Sequence, residues 1–150
     1  MPKVHKLGLP IRPIFAACNT PSYNLSKFLV PVLSSLTRNE FTVSNSYEFS
    51  QLIGSFEGCE DVVMVSYDVE SLFTNIPLRE TIDICLNSLF NTCEYVTGLT
   101  RSYFKTLLEL SVLNSYFIFD DKFYVQQEGV GMGLPLGPTF AIVFMCFHEI

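Results

Sequence analysis

Three short stretches hold residue types that could do chemistry. In "VSYDVESLFTNIPL" (Val65 to Leu78) Asp68 ends a β-branched apolar run, and in "SYFIFDDKFYV" (Ser115 to Val125) Asp120 and Asp121 separate two such runs. "EGVGMGLPLGP" (Glu128 to Pro138) holds four glycines and two prolines in eleven residues. Carboxylates on neighbouring strands can share two divalent cations, and hard oxygens of this kind suit Mg²⁺, which takes few protein ligands and keeps its waters. Glycines let a backbone approach a nucleotide or a base pair closely and turn N–H groups toward it.

Each stretch also has a plainer reading. Asp68, beside the Val69 carbonyl, is either a metal ligand or a residue that caps the next segment or pairs with a cation. Asp120 and Asp121 suit a tight turn, because Asp tolerates left-handed backbone and bonds its own chain. The glycine-rich segment lacks the Lys-Ser/Thr ending of a P-loop and the G-x-G-x-x-G spacing of a dinucleotide site, so an ordinary loop stays open.

The elements that would position these residues follow from periodicity. From Pro21, the residues Leu25, Phe28, Leu29, Val32, Leu33 and Leu36 recur at helical spacing, with Pro31 expected to kink or split the helix. Ser46 is the expected N-cap of a second helix whose stripe of Phe49, Leu52, Ile53 and Phe56 should be core. Asp61 to Val69 is apolar on both faces, which predicts a buried central strand ending near Asp68. Pro77 suits the first turn of a helix with the face Ile82, Cys85, Leu86 and Leu89. Another helix should start at Thr100 and present Phe104, Leu107, Leu108 and Ser111. Tyr116 to Phe119 and Phe123 to Val125 read as a hairpin around the Asp pair, and a last helix should follow the glycines.

Composition sets the bounds. The chain has 150 residues, 49% hydrophobic and 16% charged, enough for one domain with a core. Its apolar runs are too short for a bilayer span and its start has no long apolar leader, so a soluble, unexported chain is expected. Five cysteines (Cys18, Cys59, Cys85, Cys93, Cys146) without a C-x-x-C pair, and only His5 and His148, favour buried free thiols over disulfides or zinc. Net charge is -6, but Lys3, Lys6, Arg12, Lys27 and Arg38 all precede the first acid, Glu40. A basic arm of +5 thus leads into a body of -11, in which four cations face all 15 acids. Such an arm could track a phosphate backbone, or it could simply solvate a surface.

Taken together and in order, "KVHKLGLPIRPIFAACNTPSYNLSKFL", "VSYDVESLFTNIPLRETIDICL" and "SYFIFDDKFYVQQEGVGMGLPLGPTFAIVFM" resemble the reverse transcriptases of Penelope-like retroelements, over nearly the whole chain. The resemblance implies an α+β chain, a partial right-hand polymerase fold: fingers-like basic arm and helices over 1–60, and an incomplete antiparallel palm sheet packed by helices over 61–150. Asp68 would be the first catalytic aspartate and, with the Val69 carbonyl, a Mg²⁺ ligand. Phe73 would exclude a 2'-hydroxyl, while Gly133, Pro135, Leu136 and Gly137 would pack against the incoming nucleotide and template base. Arg12 would grip the triphosphate, with Lys3 and Lys6 contacting nucleic acid. The implied partners are an RNA template, a DNA primer and deoxynucleoside triphosphates, with no membrane, in an intracellular and nuclear setting.

The implied reaction is in-line attack of a primer 3'-hydroxyl on an α-phosphate, assisted by two Mg²⁺ ions ~4 Å apart. The family's Tyr/Phe-x-Asp-Asp pair follows the glycine loop, whereas "FIFDD" precedes it. The turn reading of Asp120 and Asp121 is therefore preferred, with the true pair expected beyond Ile150. Ligation by Asp120 and Asp121 in a rearranged site is the alternative for those residues. Leu134, where the family has Ser, and Ile142, where it has Asn, depart from the pattern beside the nucleotide and in the following helix. A non-catalytic nucleic-acid-binding remnant is the competing function. Alone, such a half-palm should expose a strand edge and the Phe140 to Phe147 face, and should aggregate.

Overall fold

The computed structural model describes residues 14–56, 63–113 and 115–149. The described chain is α+β: six α-helices and two separate two-stranded antiparallel hairpins. Helix α1 (Pro21–Leu33) begins with Pro21 in its first turn, where a missing N–H costs nothing and the fixed φ is already helical. Pro31 falls two residues before the end, so it does not split the helix; the chain tightens into a 3₁₀ turn, Ser34–Leu36.

Helix α2 (Ser46–Gly54) is capped by Asn45 and not by Ser46. The Asn45 side-chain oxygen accepts from the Glu48 N–H at 2.9 Å, and a Glu48 carboxylate oxygen accepts from the Ser44 N–H at 2.8 Å. Side chains thereby satisfy two N–H groups, in the manner of a capping box.

A single turn, α3 (Leu72–Asn75), precedes α4 (Leu78–Leu89). β1 (Tyr95–Val96) and β2 (Leu99–Thr100) then pair through Thr97 and Gly98, both at positive φ as a tight hairpin turn requires. Thr100, the expected start of a helix, is the N-cap of α5 (Arg101–Val112), which begins one residue later. The Arg101 guanidinium reaches back, donating to the Leu86 carbonyl at 3.0 Å and the Asn87 side-chain oxygen at 2.7 Å, and so closes the C-terminal end of α4. β3 (Tyr116–Phe119) pairs with β4 (Lys122–Val125), and α6 (Gly137–His148) follows the glycine-rich loop.

Helices make the main core. Leu29 and Leu33 of α1, Ile82, Cys85 and Leu86 of α4, Phe104, Leu108 and Val112 of α5, and Phe140 and Val143 of α6 meet in one buried cluster. The three- and four-residue steps on each helix put these side chains on one face, and burying each large one contributes about 1.5–3 kcal/mol. Burial also pushes the Cys85 thiol up to about 12, because no charge can be solvated there. A smaller cluster of Ala17, Ile76, Val130, Leu134 and Ala141 fastens the glycine loop to the body.

Several expectations are corrected here. Residues 63–69 form no strand: Val63, Met64, Val65 and Tyr67 are exposed, and the Asp61 end of the predicted strand lies outside the described residues. A segment apolar on both faces becomes a central strand only when strands pair with both edges, and neither described hairpin takes it up. The α2 stripe (Phe49, Leu52, Ile53) and Phe56 are exposed rather than core, as is Phe28 of α1. Phe140 and Val143 are buried against α4, so the expected exposure of that face is wrong except at Phe147 and Ile142. Cys85 and Cys146 are buried, whereas Cys18 and Cys93 are exposed thiols. No helix among the described residues is long and apolar enough to cross a membrane.

Candidate functional site

The glycine-rich loop is held from two sides. On one, the Val130 N–H donates to the Phe73 carbonyl at 2.7 Å. Gly129, at φ +73°, passes so close to α3 that a Cβ there would lie 2.5 Å from the Phe73 carbonyl oxygen and 2.6 Å from Thr74 backbone. On the other side, the Phe15 N–H donates to the Met132 carbonyl at 2.7 Å, and Ile14 and Met132 form an isolated parallel bridge. Gly133, at φ +106°, faces the Phe15 carbonyl at a separation no side chain could share. Both glycines therefore do two jobs: they adopt left-handed backbone and admit another backbone into contact.

This arrangement brings together some of the residues singled out in the sequence and not others. Phe73 stands beside the start of α6, its ring edge 3.7 Å from where a Gly137 Cβ would be, and so near the Gly133–Gly137 segment. Gly137 is buried and Pro135 half-buried. Leu136 is wholly buried in the main core, so its side chain is a packing anchor and only its backbone could face a nucleotide. Leu134, the departure from Ser, is also buried, packed with Ala17, Ile76, Val130 and Ala141. Its bulk thus fills core. Ile142 is exposed on α6, where a polar side chain would cost nothing to solvate.

Asp68 and Val69 lie in the exposed 63–69 segment, carried by no sheet. Asp68 and the Val69 carbonyl are adjacent hard oxygen donors. Two-metal chemistry needs further carboxylates around them. Among the described residues no group of three or more His, Cys, Asp and Glu side chains could hold a metal ion. The described donors therefore do not assemble a two-metal centre. Arg12, Lys3 and Lys6 lie outside the described residues.

Asp120 and Asp121 occupy a two-residue turn, both at positive φ (50° and 56°), between the facing residues Phe119 and Lys122. Left-handed conformation at both central positions is the signature of the type I' hairpin turn, which Asp tolerates and whose twist matches that of the strands. The turn reading of this pair agrees with that geometry.

Cavities flank the loop among the described residues. One of about 660 Å³ lies between the start of α4 and the base of the β3–β4 hairpin, with Ile76, Arg79, Tyr116, Gln126 and Glu128 in its wall. Another, about 300 Å³, lies by Phe15, Thr20, Ser111 and Leu134. Neither is lined by Asp68.

Phe15 is the residue that sequence reading missed. Its N–H and carbonyl hold the loop, and its ring meets Phe117 of β3 edge-on at 5.5 Å. The only signal was its place between Arg12 and the start of α1, which no periodicity marks. No family model matches this chain, and neither the curated proteins nor the solved structures contain a match to it.

Proposed function

We propose that this chain is part of an RNA-directed DNA polymerase of the Penelope-like reverse transcriptase kind, contributing the surface that places the incoming deoxynucleoside triphosphate against an RNA template and DNA primer. The observation that carries the reading is the docking of Phe73 on the glycine loop through the 2.7 Å bond from the Val130 N–H. Two motifs far apart in sequence, each matched to the nucleotide pocket by resemblance, are adjacent in space. In this reading Phe73 limits room at the sugar and the Gly133–Gly137 backbone lies along the nascent base pair. Asp68 is one ligand of a Mg²⁺ site, and a nuclear setting belongs to the same proposal.

The test is primer extension on an RNA template with Mg²⁺, using the full reading frame beside its Asp68→Ala counterpart. Extension that disappears in the variant is the expected result; equal extension by both, or none by either, overturns the reading.

A second reading is favoured by the exposure of Asp68 and the lack of a carboxylate cluster among the described residues. Here the chain binds nucleic acid through its basic arm without catalysis. Binding that weakens steeply with salt yet ignores both Mg²⁺ and Asp68→Ala would select it.

A further inference from the structure

Resting on the polymerase reading, we propose that Phe15 is a positioning residue for the nucleotide pocket: its backbone and ring fix the Gly131–Gly133 segment, which leads into the Gly133–Gly137 backbone against which the nucleotide packs. Three contacts carry this. The Phe15 N–H donates to the Met132 carbonyl at 2.7 Å, and the Phe15 carbonyl backs directly onto Gly133. The Phe15 ring covers Gly131 so closely that a Cβ there would lie 2.9 Å from the ring edge. The ring is itself held, buried and edge-on to Phe117, whose own ring stacks on Tyr124 at 5.5 Å and 19°.

A loop with three glycines between Gly129 and Gly133 has little intrinsic preference for one conformation. Its shape must come from what it touches. Phe73 fixes the Gly129–Val130 end and Phe15 the Gly131–Gly133 end, so the backbone groups of the loop are presented in one arrangement. Loosening the second contact leaves the first in place, as well as the helical core, to which Phe15 does not belong. The consequence should fall on nucleotide placement more than on folding, since misplacement of about 1 Å at a reacting group can cost up to roughly 10²-fold.

The experiment is equilibrium binding of a deoxynucleoside triphosphate with Mg²⁺ to the full-length chain, beside binding of an RNA–DNA primer–template. Phe15→Leu is expected to weaken triphosphate binding roughly tenfold while leaving primer–template affinity within about twofold. Phe15→Tyr, which keeps the ring, should restore the wild-type value. Phe123→Leu, an aromatic truncation at an exposed position of the same hairpin that does not touch Phe15, should leave triphosphate affinity unchanged. Gly131→Ala approaches the same contact from the loop side and should reproduce the loss even if Phe15→Leu does not fold.

Phe15→Leu or Gly131→Ala binding triphosphate as the wild type does would overturn the proposal, as would an equal loss in Phe123→Leu. A wild-type protein that binds no triphosphate would instead sink the polymerase reading on which it rests.

Discussion

Helix α5 and the segment 63–69 are both rich in apolar side chains, yet α5 hides Phe104 and Leu108 completely while Val63 is 85% and Tyr67 92% exposed. The reason lies in the backbone. A helix closes its own hydrogen bonds within the segment and asks only for a partner along one stripe. An extended segment that is apolar on both faces needs neighbours along both edges and over both faces, and no described strand supplies them. The same contrast separates the four-helix core from the β3–β4 hairpin, where Ile118, Phe119 and Phe123 are exposed. Apolar content thus measures what a segment could bury, and its secondary structure decides how many partners that takes.

The sharpest way to break this comparison is to truncate one aromatic in each region. Phe104→Ala should cost about 3–5 kcal/mol of unfolding free energy, the usual loss when a core phenylalanine leaves a cavity. Phe123→Ala should change it by no more than about 0.5 kcal/mol, as at other exposed positions. Urea denaturation of both variants reads the difference, and near-equal losses would show the hairpin to be as tightly packed as the helices.

Between the two regions stands the glycine loop, which belongs to the core on one side and to the candidate site on the other. Gly133→Ala meets both a left-handed φ and the Phe15 carbonyl, whereas Gly98→Ala meets a left-handed φ of +78° with open space around it. The Gly98 change should therefore cost only the conformational part, about 1 kcal/mol, and the Gly133 change roughly 1–3 kcal/mol. Equal losses, measured by thermal unfolding, would mean that Phe15 is not pressed against the loop.

The helical core also carries a titration signal. The Cys85 thiol, raised from an ordinary value of 9.0 to about 12, keeps its proton in the folded state at pH values where the unfolded chain has lost it. The unfolded state then binds fewer protons, so stability is intact below pH 9 and falls as pH rises from 9 toward 12, by at most about 1.4 kcal/mol per pH unit. Cys85→Ala should flatten that part of the alkaline decline, read as the wild-type-minus-variant difference in urea midpoint between pH 8 and roughly 10.5. In parallel, Cys18 and Cys93 should react with a thiol reagent in the native protein before Cys85 does.

How much of this was legible in the sequence depended on how local the cause was. The faces of α4 and α5 and the start of α5 at Thr100, to within one residue, could be read because spacing within one segment determines them, and the Asp120–Asp121 turn because its chemistry lies in the two residues themselves. The Asn45 cap was misread by one position, since Asn45 and Ser46 are both good caps and only the bond to Glu48 separates them. The 61–69 strand was misread for a deeper reason: strand propensity says nothing about whether a partner strand is at hand. At the candidate site, the glycines announced a close backbone approach without saying to what. Phe73 joined them through a family resemblance rather than through any spacing, and Phe15 had no signal beyond its place between Arg12 and α1.

The smallest effect on stability is expected where the largest effect on solution behaviour is. Val65 is 62% exposed, with Met64 and Tyr67 close by and also exposed, in a segment of high β-propensity, 63–69, whose one internal charge is Asp68. Two such segments, or one segment and a free hairpin edge, can pair with each other because backbone groups without strand partners remain available. Val65→Lys places a charge in the middle of the run. Since the native side chain touches little, unfolding free energy should move by less than about 0.5 kcal/mol. A repeated lysine in any intermolecular ladder would set like charges opposite each other, so light scattering at a given concentration should fall. A drop in scattering at constant stability would identify 63–69 as the segment through which copies associate. A clear loss of stability would mean that Val65 packs in the folded chain, and the contrast with α5 would then have to be redrawn.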